Sequence, residues 1–139
     1  MHFILNPISN NKKSAQQFLE VEKFLKKSKC KFFVHETKYP QHAVKIVKSA
    51  TSKNKPVHII SVGGDGTLCD VLNGISDFKN TYLSVLPFGS GNDFALNFKE
   101  ISQTNQIDNI KRIISTTTNS YFINTNVIVV LSISCTIFL

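Results

Sequence analysis

Glycine is scarce in this chain. There are six in 139 residues, and three of them, Gly63, Gly64 and Gly66, fall within four consecutive positions. Arginine is scarcer still, with Arg112 alone against fifteen lysines. That ratio argues against base readout, which favours the planar guanidinium fork, so no nucleic-acid partner is expected. Cysteine is limited to Cys30, Cys69 and Cys135, an odd number with no CxxC pair. They give no disulfide framework and fit a reduced, cytoplasmic setting. Familiar motifs are missing too. G-x-x-x-x-G-K-[ST] occurs nowhere, which excludes a P-loop. Cys69 stands where the third glycine of a dinucleotide fingerprint would fall. No G-x-S-x-G elbow exists, and Ser90 in "FGSGN" has the wrong spacing for one. His2, His35, His42 and His58 lack metal-ligand spacing; His35 and His58 read as core or edge residues of strands.

What the chain does hold is a globular pattern. Hydrophobic residues make up 42% of it, enough at this length for one domain with a real core. The net charge of +7 is lopsided: residues 1–55 carry twelve lysines against three glutamates, whereas residues 56–139 carry three lysines and Arg112 against six acids. The basic half either faces an anionic partner, such as an acidic lipid surface or a polyphosphate, or simply solvates helix faces.

Apolar spacing orders the elements. "HFILN" (2–6) reads as a buried strand ended by Pro7, and "QQFLEVEKFLKKS" (16–28) sets Phe18, Val21 and Leu25 on one helix face. "KFFVHE" (31–36) reads as a strand. "PQHAVKIVKSA" (40–50) reads as a helix with Pro40 at its first position. "PVHIISV" (56–62) is a strand leading into the glycine turn, and Leu68, Val71, Leu72 and Ile75 mark the helix after it. "YLSVLP" (82–87) is a fourth strand before a second glycine turn, "FGSGND"; a helix near 105–116 and a strand near 120–124 follow. This alternation predicts an α/β, Rossmann-like parallel sheet with helices on both faces. Right-handed crossovers put every strand's C-terminal end on one rim, where ligands bind at a topological switch point. "NPISNN", "GGDGT" and "PFGSGND" all fall on that rim.

The first glycine turn joins a strand to a helix N-terminus, where unpaired N–H groups and the helix dipole favour an anion such as phosphate. Thr67 is placed to act as N-cap or as a hydroxyl donor to phosphate. Asp65 is the odd residue, since a carboxylate beside a phosphate repels it unless a cation intervenes; that points to Mg²⁺ or a ribose contact. The same residues also make an ordinary tight turn with Asp65 and Thr67 as caps.

"GGDGT" followed about twenty residues later by "LPFGSGNDFA" resembles the diacylglycerol kinase catalytic-domain family, within the superfamily shared with NAD kinases. The first motif is moderately specific; the second narrows the likeness, because Pro87, Gly89, Gly91, Asn92, Asp93, Phe94 and Ala95 match the lipid-kinase form P-x-G-T-G-N-D-F-A. Asn6 and Pro7 match the family's first strand end, and Thr37 falls where the family has an ATP-contacting threonine. The likeness runs from about residue 2 to 124 and is strongest to the soluble two-domain bacterial lipid kinases. It implies ATP with Mg²⁺ as cofactors and a lipid acceptor reached at a membrane surface. By position it implicates Asn6, Thr37, Gly64, Asp65, Gly66, Thr67 and Ser90 in holding the nucleotide. Gly63, Asp70, Gly91, Asn92 and Asp93 complete the candidate set, with Asp65 the candidate metal ligand. Three departures stand out. The family's "GGDGTxNE" reads Cys69 and Asp70 here, its glycine after "NP-x-[SA]" is Asn10, and its threonine before "GND" is Ser90.

The resemblance also implies a second domain, a β-sandwich, that supplies the catalytic base; residues 1–139 are expected to lack it and to be catalytically incomplete. Residues 121–139 contain no charged side chain, which raises a membrane span. Asn124, Asn126, Ser132 and Ser134 are costly at mid-bilayer, and the β-branched richness favours strands. Residues 1–124 are therefore read as the nucleotide-binding domain and 125–139 as a truncated start of the second. The expected function is ATP-dependent phosphorylation of diacylglycerol or a related lipid alcohol, by a cytoplasmic protein peripheral to the membrane; a homodimer is compatible with this. The alternatives are a non-catalytic nucleotide-binding remnant or regulatory module, and an NAD-kinase relative, against which "GNDFA" argues.

Overall fold

The computed structural model describes residues 1–97 and 105–118. Four strands alternate with helices in chain order: β1 (His2–Leu5), α1 (Lys13–Lys27), β2 (Phe33–Glu36), α2 (His42–Thr51), β3 (Val57–Gly63), α3 (Asp65–Gly74), β4 (Thr81–Pro87), then α4 (Asp93–Leu96) and α5 (Gln106–Thr118). The strands form one parallel sheet of order β2-β1-β3-β4. The expected strand near 120–124 and the apolar tail lie outside the described residues.

Side-chain alternation along the strands divides the core in two. On one face, Phe3, Leu5, Ile60, Val62, Leu86 and Phe88 meet Phe18, Val21 and Leu25 of α1 and Ile110 and Ile113 of α5. On the other, Ile4, Ile59, Leu83 and Val85 meet Ala43 and Val47 of α2 and Leu68 and Val71 of α3. Helices therefore cover both faces, as the alternation predicts.

Two helix starts differ from the sequence reading. Pro40 is not the first residue of α2: Gln41 adopts a left-handed conformation (φ +63°) as N-cap, so the helix begins only at His42. The chain before it folds into its own turn, in which Tyr39 stacks on His42 with ring centroids 4.4 Å apart. α1 begins at Lys13, three residues early. Ser14 is buried there, and its hydroxyl donates to the Asn6 carbonyl at 2.6 Å, anchoring the first turn to the end of β1.

α2 and α3 approach closely at Gly74. A Cβ there would lie 2.7 Å from the Val44 carbonyl oxygen and 2.8 Å from Val47 Cβ. Alanine improves helix propensity by up to about 1 kcal/mol, but overpacking against a backbone carbonyl costs about 1–3 kcal/mol. Gly74→Ala is expected to lower the denaturant midpoint; an unchanged or raised midpoint would refute this packing.

His58 is buried with its Nε2 2.8 Å from Ser84 Oγ. Burial pulls its pKa from 6.5 down to about 4. The folded state thus holds a neutral imidazole, while the unfolded chain binds a proton once pH falls below 6.5. The stability this provides is complete above pH 6.5 and is lost as pH falls toward 4, a loss on the order of 3 kcal/mol. Denaturant titrations from pH 7 to 4 should show a shallower decline in His58→Gln than in the parent; parallel declines would remove His58 as the cause.

Candidate phosphate-binding site

β1 and β3 are neighbours, yet their outgoing connections lead to opposite faces, β1 to α1 and β3 to α3. The crevice beyond their C-terminal ends is the topological switch point of the sheet. Asn6 closes it from the β1 side. Its backbone N–H donates to the Val62 carbonyl at 3.0 Å, its Nδ2 donates to Thr67 Oγ1 at 3.2 Å, and its Oδ1 accepts from Ile8 N at 3.2 Å. One side chain thus joins the ends of β1 and α3 across the crevice.

Thr67 is the third residue of α3 and is not its N-cap. Gly64 holds that position in an extended conformation with no side chain to cap the helix. The first intrahelical bond runs from Leu68 N to the Gly64 carbonyl at 3.1 Å, so the N–H groups of the opening turn lack a side-chain cap. The three glycines have different reasons to be there. A Cβ on Gly63 would lie 2.5 Å from Thr67 Oγ1, and one on Gly64 would lie 3.1 Å from Gly89 Cα. A Cβ on Gly66 would meet nothing within 4 Å. No contact among the described residues demands glycine at Gly66; its Cβ direction is open space.

The second turn is built against the first. Phe88 N donates to the Gly63 carbonyl at 2.9 Å, extending the β3–β4 ladder into both turns. Asn92, left-handed at φ +56°, folds its amide back onto Gly89: its Oδ1 accepts from Gly89 N at 2.9 Å and its Nδ2 donates to Gly89 O at 2.7 Å. A Cβ on Gly89 would collide with Gly64 Cα and come within 2.8 Å of Gly64 N. Asp65, first residue of α3, accepts from Asp93 N at 2.8 Å through Oδ2 and from Phe94 N at 3.1 Å through Oδ1. Its carboxylate therefore caps α4, a role its sequence position did not announce.

Most of the candidate residues converge on this rim. Asn6, Gly63, Gly64, Asp65, Thr67 and Asn92 interlock directly through the contacts above. Ser90 and Gly91 form the exposed tip of the second turn, and Asp93 is exposed beside it. Asp70 is half-buried further along α3, on the helix face shared with Gly66 and Thr67 by spacing. Thr37 extends the β1–β2 ladder, donating from its N–H to the Leu5 carbonyl at 2.8 Å, and so sits on the same rim two strands from β3. Asn10 adopts φ +51°, the conformation a glycine there would serve. Gly89 and Ser14 were outside the candidate set. Gly89 was visible as part of "FGSGND", but the backbone it packs against lies 25 positions away in sequence.

Exposed apolar and basic groups border the rim. Ile8 and Leu96 are the most exposed large hydrophobic residues described, at 69% and 65%, and Lys12 and Lys13 follow Ile8 in the chain. Among the described residues, no three His, Cys, Asp or Glu side chains gather into a metal cluster. None of the described helices is long and apolar enough to cross a membrane.

Comparison with known proteins shows the family of the chain. The family model of the diacylglycerol kinase catalytic domain matches residues 1–124. YtlR of Bacillus subtilis (strain 168) is 32% identical over 114 residues, 79% of this chain and 37% of YtlR. Sphingosine kinase B of Dictyostelium discoideum is 37% identical over 102 residues, 68% of this chain and 13% of that protein. The crystal structure of a diacylglycerol kinase from Bacillus anthracis str. Sterne superposes with a TM-score of 0.61 at 23% identity, covering 84% of this chain and 41% of that one, and shares its fold. This chain thus spans well under half the length of these relatives. A match across nearly nine-tenths of the chain, on a parallel sheet whose C-terminal rim carries both glycine turns, makes it a member of the diacylglycerol kinase catalytic-domain family of lipid kinases.

Proposed function

We propose that residues 1–124 are the nucleotide-holding domain of an ATP-dependent lipid kinase that transfers the γ-phosphate to a hydroxyl of diacylglycerol or a related lipid alcohol. The observation that carries the nucleotide part is Gly66: an open space at an uncapped helix N-terminus, in a turn otherwise packed tightly. Phosphate oxygens would take the unpaired N–H groups, with the Thr67 hydroxyl beside them. Mg²⁺ fits this donor set as an ion carried in with the nucleotide. Such an ion needs only one or two carboxylates plus substrate phosphates, and the exposed Asp93 offers one, its Oδ1 3.7 Å from where a Cβ on Gly91 would lie. Bound there, it would neutralise phosphate charge during transfer. Thr37, about two strand spacings away, or ~10 Å, would serve the nucleoside end.

The family's relatives differ in acceptor, since their names include both sphingosine kinase and diacylglycerol kinase. Either acceptor sits in a bilayer, and Ile8 and Leu96 beside Lys12 and Lys13 suit weak peripheral contact.

Gly66→Ala separates fold from ligand. Alanine should stabilise α3 by up to about 1 kcal/mol, because its Cβ enters open space, yet it should weaken ATP·Mg²⁺ binding severalfold by occupying the phosphate approach. Raised thermal stability with unchanged ATP affinity would overturn the assignment. ATP binding without phosphate transfer to any lipid, in the longest natural form of the chain, would favour the non-catalytic module instead. Co-sedimentation should be stronger with anionic than neutral vesicles at low salt and fade as salt rises; equal sedimentation with both would argue against the membrane contact.

A further inference from the structure

We propose that Asp65 is a positioning residue, whose carboxylate locks the second glycine turn onto the first so that both grip the phosphates as one unit. For its ligand the proposal rests on the nucleotide reading above; for its geometry it does not.

A short helix such as α4 presents N–H groups that need acceptors. Its own N-cap cannot supply one, because the Asn92 amide is engaged by Gly89 at both of its polar ends. Asp65 supplies both, one oxygen to Asp93 N and the other to Phe94 N. The two partners lie 28 and 29 positions from it in sequence. The bonds therefore fasten separate loops rather than ordering a local turn. Hydrogen bonds to a carboxylate are about twice as strong as neutral ones. The Gly64–Gly89 backbone contact fixes how closely the turns approach, but a contact between two glycines resists sliding poorly. The Asp65 bridge sets the register, and with it where Ser90 and Gly91 stand relative to Gly66.

The bridge also explains why an acid is tolerated beside a phosphate seat. The carboxylate accepts two N–H bonds and lies in the first turn of α3, where the helix dipole favours negative charge. Its repulsion of an incoming phosphate is partly compensated without any cation. Asp93, whose backbone is held by the bridge and whose side chain is exposed, is then the carboxylate placed to face a nucleotide-borne Mg²⁺.

A metal ligand and a positioning bridge respond differently to substitution. In Asp65→Ala, the Asp93 and Phe94 amides should lose at least roughly tenfold of their hydrogen-exchange protection in the ligand-free protein. ATP affinity should fall roughly tenfold or more, by the same factor in Mg²⁺ and in EDTA. Asp65→Asn keeps one acceptor oxygen and should restore part of both losses; it also serves if the alanine variant does not fold. Unchanged amide protection in both variants, or an affinity loss confined to Mg²⁺, would overturn the proposal. If the parent protein binds no ATP, the nucleotide reading fails, and amide exchange alone still decides whether Asp65 holds the turns together.

Discussion

Two glycine backbones pressed together, Gly64 and Gly89, govern the geometry of the whole rim. A side chain on Gly89 would drive into Gly64, and one on Gly64 would crowd Gly89 in return. The contact is possible because β3 and β4 are adjacent and in register to their last residues, Gly63 against Pro87, so both chains leave the sheet at the same level. Everything else at the site adapts to that closeness. Asn92 turns left-handed and folds inward to satisfy Gly89, leaving α4 without a cap of its own, and Asp65 reaches across to provide one. The result is a surface made largely of main chain, which is what close approach by a polyanion requires.

The sheet below makes this arrangement rigid. β3 is buried along nearly its full length, with Ile59, Ile60 and Val62 inaccessible to solvent and helices packed on both sides. The glycine turn continues directly from this buried strand, and Asn6 ties the neighbouring strand end to Thr67 across the crevice. Phosphoryl transfer depends on positioning and charge stabilisation more than on covalent chemistry by the protein. In the proposed reading, the core's contribution to catalysis is therefore geometric: it holds unpaired N–H groups at fixed places around Gly66.

Much of this was legible in the sequence because it depends on periodicity. Phe18, Val21 and Leu25, or Leu68 and Val71, repeat at helical spacing and are buried as that spacing requires. The alternation of strands and helices specified a parallel sheet, and the sheet specified the rim. The sequence was less informative where an interaction joins distant positions or where a side chain's role depends on what faces it. Thr67 reads either as a cap or as a hydroxyl donor to phosphate; Gly64 occupies the cap, and Thr67 receives Asn6 from another strand. Pro40 read as a helix start by local preference, but the left-handed Gln41 intervenes. Asp65 reads as a metal ligand, a ribose contact or an ordinary cap of its own turn; that its oxygens accept from the backbone of Asp93 and Phe94 in the other turn was not legible, because main-chain acceptor demand leaves no mark on residue identity.

The departures from the family pattern follow the same division. Asn10 and Ser90 preserve what the backbone and the hydroxyl need, a left-handed conformation in one case and an oxygen in the other. Cys69 does not preserve the polarity of an amide. It is exposed on α3, and the nearest amide on that stretch belongs to Asn73, whose Nδ2 approaches the sulfur at 3.6 Å. One helical turn separates the two residues, so Asn73 presents its amide on the same face but about 6 Å further from the helix N-terminus. That offset exceeds any hydrogen-bond length. In the proposed reading, a phosphate seated on the opening turn of α3 would be held by N–H groups and the Thr67 hydroxyl, with Cys69 contributing surface rather than a bond.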